Sequence, residues 1–204
     1  MFRLERPNMA VNDKRVSGGG SCRRFQMWNT WDIGAAETRE HIIDWVATVA
    51  RRAPRGKLKH LVLSAHGLPS YLQLGQGFDR SHIPLFAAWA GLIEKIWLPD
   101  CLIARILDAE MQAQLNKDYS DLPTGDGNVF CGLLAKTVRC YVVAATEVQC
   151  EFPTDVPPDM MTSFEGLVLS YGPKGNVTWS SRNRSMWMRT NPATGAPQCV
   201  PVPN

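Results

Sequence analysis

The chain is poor in the features that would assign its class directly. Its six cysteines, at 22, 101, 131, 140, 150 and 199, include no CxxC pair, and no histidine stands at zinc-finger spacing to them, which argues against a structural zinc module. No metal ion and no cofactor is implied. The longest apolar run, Ile83 to Ile93, stops at Glu94-Lys95, short of the roughly 18 residues that span a bilayer, so no membrane partner is expected. The first residues carry Arg3, Glu5 and Arg6 and lack the apolar stretch of a secretory leader. Charge of one sign is also scarce: 22 Lys+Arg against 19 Asp+Glu leave +3, too mild to demand a nucleic acid. There is no internal repeat.

What is present describes a folding chain. Hydrophobic residues make up 45% and charged residues 20%, far from the composition of disorder. Residues 1–21, with Pro7 and the run Gly18-Gly19-Gly20-Ser21, read as a flexible arm. Residues 191–204, with Pro192, Pro197, Pro201 and Pro203, read as an extended tail. One domain over 22–190 is expected between them. Cys101, Cys131 and Cys140 fall in apolar or strand-like surroundings, which favours reduced thiols and synthesis in the cytoplasm; export as a delivered effector would then need a route without a leader. Nothing in the sequence supports a Cys22–Cys199 pair.

Within 22–190 the pattern alternates. Phe25 to Trp28 reads as a strand, and Glu37 to Arg51 as a helix with Ile42, Ile43, Val46 and Val49 on one face. Leu58 to Ser64 is a buried strand ending at Ala65-His66-Gly67, followed by a small hairpin arm at 71–74 and an apolar helix at 83–92. Ile93 to Leu98 is a second buried strand, with Pro99-Asp100-Cys101 beyond its end. A polar loop at 116–127, a helix at 129–138 and a strand at 140–145 come next, then strands at 164–170 and 176–179 joined by a hairpin turn. Strands separated by helices predict an α/β fold with a parallel sheet, whose ligands bind at the carboxyl ends of the strands. His66 and Cys101 both stand at such ends.

A thiol of pKa about 8.5 is only a few per cent thiolate at neutral pH, and a nearby imidazole raises that fraction. The same imidazole can return the proton to a leaving amine. Gly67 leaves room for substrate, and its N–H with that of Cys101 makes a candidate oxyanion hole.

The stretches LVLSAHGLPSYLQLG (61–75), IEKIWLPDCLIA (93–104) and DGNVFCGLLAKTVRCYVVAATEV (126–148) together resemble the caspase-like fold of cysteine peptidases, which includes caspases, gingipain-type and separase-type proteases and bacterial CHAT domains. The resemblance implies a three-layer sandwich, with a mainly parallel sheet and helices on both faces. It implies a cysteine endopeptidase acting on a protein or peptide substrate, with His66 as base, Cys101 as nucleophile, the Gly67 and Cys101 amides as oxyanion donors, and the end of the third strand near the S1 pocket. Two positions depart from the family pattern: Leu102-Ile103-Ala104 replaces a small, Gly-rich segment, and Asp100 replaces a small or apolar residue. The caspase signature Q-A-C-[RQG]-G is not met. The alternative is an inactive caspase-like domain that binds a partner protein.

Other candidates have plainer readings beside functional ones. Asp100 is either a pocket carboxylate selecting a basic P1 residue or the cap of a helix after Cys101. Glu147, just past Thr146, is either a substrate-pocket wall or surface charge. His41, His60 and His82 are explained by capping or exposure, and Cys131 and Cys140 by the core. Trp179, Arg182, Arg184, Trp187 and Arg189 interleave as in base-stacking surfaces but also suit a solvated hairpin.

Overall fold

A computed structural model describes residues 1–17, 24–118, 121–150 and 156–202. The Gly18–Gly20 run, Ser21 and Cys22 lie outside the described residues. In chain order the elements are β1 (Phe2–Arg3), β2 (Asn8–Asp13), β3 (Asn29–Ile33), α1 (Arg39–Arg52), β4 (Leu58–Ser64), β5 (His66–Leu68) and β6 (Tyr71–Gln73). A 3-10 helix (Arg80–Trp89), β7 (Ile93–Leu98), α2 (Ala109–Asp118), α3 (Gly127–Val138) and β8 (Tyr141–Ala145) follow. The last are β9 (Met160–Met161), β10 (Leu167–Tyr171), β11 (Val177–Arg182), β12 (Met186–Thr190) and β13 (Pro197–Pro201).

Seven strands form the main sheet in the order β11-β10-β8-β7-β4-β2-β3. The run from β3 to β8 is parallel, while β8-β10 and β10-β11 are antiparallel. The sheet is therefore mixed, where a mainly parallel one was expected. The Tyr171–Gly175 turn accounts for the last pairing, since it folds β10 and β11 as a hairpin that needs no crossover, while β10 itself enters the sheet antiparallel to β8.

The expected helices on both faces are not found either. α1, the 3-10 helix and α3 share one core with Met9, Val11, Leu61, Leu63, Ile96 and Leu98. The other face is covered by irregular chain, in which Leu4, Phe25, Met27, Val156, Met161 and Phe164 pack on Ala10, Val62, Val143, Ala145 and Val168. No described side chain of α2 belongs to either core. α1 forms where the apolar spacing predicts, with Thr38 accepting from the His41 amide at its start. The segment at 83–92 is a 3-10 helix with Pro84 inside it, since proline removes a donor that an α-helix would use.

The expected flexible arm is overturned over Asn8–Asp13, where every residue is buried and paired with β3 and β4. Two asparagines disguise this strand as polar chain. Inside the fold Asn8 accepts from the Trp28 amide at 2.8 Å, while Asn12 both accepts from and donates to Phe25, at 3.1 and 2.9 Å. Phe25 to Trp28, expected as a strand, is instead this irregular cover, and the neighbouring strand starts at Asn29. The tail is overturned too: β13 pairs with β12, and Cys199 is joined to Cys150 by a disulfide, so the six cysteines are not all reduced.

Candidate functional site

β4 and β7 are adjacent and parallel, with Val62 level with Trp97, so the turns after Ser64 and Leu98 emerge side by side at one sheet edge. His66 begins the short arm formed by β5 and β6 and is exposed. Gly67 behind it lies against the turn at 100–101: a Cβ there would sit 2.5 Å from the Cys101 carbonyl oxygen and 3.0 Å from Asp100 Cβ. Only glycine permits this approach. The arm that carries the imidazole and the turn that carries the thiol thus touch through their backbones.

Asp100 holds the two turns together. It is 2% exposed, and its Oδ1 accepts from the Ala65 amide at 2.7 Å. A carboxylate so placed ties the turn after β7 to the start of the His66 arm. The capping alternative fails, because residues 101–104 form turns and no helix begins there.

Cys101 is partly buried and outside the disulfide. Its sulfur accepts from the Gln149 amide at 3.4 Å and faces the Gln149 carbonyl at 3.6 Å. Gln149, 1% exposed, is held by its own side chain, which donates to the Glu147 and Glu165 carbonyls and accepts from the Glu165 amide. Sequence reading missed Gln149, because it stands past the last recognisable strand and no local signal ties it to position 101. Leu102, at φ 58°, takes the left-handed conformation that glycine adopts freely, at a cost in strain. Its amide donates to the Glu147 carbonyl at 3.1 Å, and Ala104 donates to Ala145 at 3.1 Å, which lays the chain after Cys101 along the end of β8.

Beside that segment opens a cavity of about 600 Å³, lined in part by Thr146, Glu147, Arg105, Ile106, Met111 and Trp187. Thr146 Oγ1 donates to the Leu167 carbonyl at 3.2 Å. Burial pushes the Glu147 carboxyl up, but hydrogen bonds from Ser185, the Leu167 amide and Arg182 outweigh it and hold the group below the usual carboxylate range. Glu147 is thus already paired, with Arg182 at 2.9 Å. Arg105 reaches only the Met111 sulfur, at 3.4 Å, and makes no ion pair among the described residues.

The remaining candidates separate. Cys131 and Cys140 are buried core thiols, raised by burial, Cys140 to about 12. His82 completes a capping box with Asp79. Trp179 and Trp187 line different cavities, Arg182 is paired with Glu147, and Arg189 stacks on Trp187 at 4.3 Å, so the interleaved Arg/Trp segment does not form one surface. Among the described residues no cluster could hold a metal ion, and no helix is long and apolar enough to cross a membrane.

Comparison of the chain with protein-family models, with curated proteins and with solved structures finds no match in any of the three.

Proposed function

We propose that the chain is a cysteine endopeptidase in which Cys101 attacks the scissile carbonyl and His66 takes and returns the proton. The observation that carries this reading is the contact of Gly67 with the Cys101 backbone, which sets the imidazole-bearing arm beside the thiol-bearing turn at the carboxyl ends of two parallel strands. Cys101 is only partly buried and His66 is exposed, so a peptide can approach the pair from the sheet edge. In this reading the Gly67 and Cys101 amides face the developing oxyanion, and the cavity at Thr146 and Glu147 receives a substrate side chain.

The test is cleavage of a peptide library together with labelling by thiol-directed peptide warheads. Label is expected on Cys101, with Cys101→Ala inactive at unchanged melting temperature. His66→Ala is expected to lose about 10²-fold or more in rate, the usual scale of a general base. If intact protein neither cleaves nor takes label at Cys101, the peptidase reading fails.

One observation favours a second reading. Gln149 clasps the Cys101 sulfur from both its amide and its carbonyl, which suits an occluded thiol in a domain that binds a partner protein. In that case Cys101→Ala leaves partner capture unchanged.

A further inference from the structure

The sheet face away from the helices carries a second site, unconnected with Cys101. Across four strands one row reads Trp97, Val143, Ser170, Trp179, each level with the next. Three strand spacings of about 4.8 Å put the two indoles about 14 Å apart. Small side chains between them leave a trough of about 720 Å³, within the usual range of ligand pockets. Phe2 and Phe164 extend its aromatic wall, at 5.4 and 6.3 Å from the Trp97 ring. The Trp97 indole is fixed, since its Nε1 donates to His60 Nδ1 at 3.1 Å. Trp179 is 55% exposed and open to stacking.

Among the described residues Lys95 provides the only charge lining this trough, its Nζ 5.1 Å above the Trp97 ring and 6.0 Å from that of Tyr141. Lys95 and Tyr141 also line a second trough, of about 680 Å³, whose charged walls are Glu5, Lys57, Lys59, Glu94 and Arg139. There Glu5 pairs with Lys59 and Glu94 with Lys57, which leaves Lys95 and Arg139 without a carboxylate partner among the described residues. An aromatic trough with hydroxyl groups along it therefore runs into a basic one.

We infer that the two troughs together bind a nucleotide, with its base stacked on Trp179, its sugar over Ser170, and its phosphate at Lys95 and Arg139. Stacking contributes about 1–3 kcal/mol per base, and two cations without carboxylate partners favour an anion at the end of the trough. A neutral sugar would leave the cations unused, and inorganic phosphate would leave the aromatic wall unused.

The test titrates the whole protein with AMP and follows tryptophan fluorescence and heat. Saturable binding of AMP is expected, with adenosine and inorganic phosphate each weaker by about tenfold or more. Lys95→Gln should weaken AMP by about tenfold and leave adenosine unchanged, whereas Trp179→Ala should weaken both. Both side chains are at least partly exposed, so these variants are expected to keep the melting temperature, and Cys101→Ala should bind AMP as the parent does. No saturable response to AMP up to about 10 mM overturns the inference. So does an unchanged AMP affinity in Lys95→Gln, or glucuronate binding as tightly as AMP.

Discussion

Gly67, Asp100 and His60 each carry a consequence that can be measured at a single residue. Gly67→Ala places a methyl group 2.5 Å from the Cys101 carbonyl oxygen, a backbone atom that cannot yield alone. The arm must move, at a cost of about 1–3 kcal/mol, and peptidase turnover is expected to fall more than stability does. Asp100→Ala removes the buried acceptor of the Ala65 amide. A loss of about 1–3 kcal/mol in urea unfolding is expected, as for an amide left unsatisfied in the interior. His60 is depressed to about 4, first by burial and then by the Lys95 charge, with Glu5 and Glu94 opposing. The unfolded chain, near 6.5, binds a proton that the fold refuses, so stability is complete above pH 6.5 and declines as pH falls toward 4. Urea midpoints at pH 7 and pH 5 should show this decline in the parent and a flatter profile in His60→Gln.

Among the elements, β4 and β8 are legible from sequence because they are largely buried and so read as nearly continuous β-branched and aliphatic runs, and β7 from its buried Ile93, Ile96 and Leu98. α1 and α3 are legible from their apolar faces, and the structure adds the caps at Thr38 and Asp126. β2 is not, since Asn8, Asn12 and Asp13 look like solvated residues until Trp28, Phe25 and the Arg15 and Gly75 amides are seen beside them. Asn12→Ala is expected to cost about 2–4 kcal/mol, because it strands both the amide and the carbonyl of Phe25. A smaller loss in urea unfolding would mean that water replaces the side chain. α2 escaped notice for the opposite reason: its described side chains join neither core, so its sequence carries no strong apolar stripe.

At the scale of the whole molecule, Cys150–Cys199 closes a span of 49 residues and ties the C-terminal hairpin to the chain just after Gln149. Reduction, or the double variant Cys150→Ser/Cys199→Ser, is expected to destabilise the protein by about 2–4 kcal/mol. Because Gln149 is the neighbour of Cys150, the same variant should also change the rate at which thiol reagents label Cys101. Thermal melts with and without reductant, read beside labelling rates, separate the two effects.

Local pattern alone was enough to place His66 and Cys101 at the ends of two buried strands, because hydrophobic runs and their abrupt ends are properties of a few neighbouring residues. The mixed sheet, the one-sided layer of helices, the buried β2, the disulfide, the Gln149 clasp on sulfur and the Trp97–Trp179 trough were decided only by tertiary structure. Each depends on groups far apart in the chain meeting across strands, where hydrogen-bond satisfaction and burial are set by the partner and not by the sequence around it.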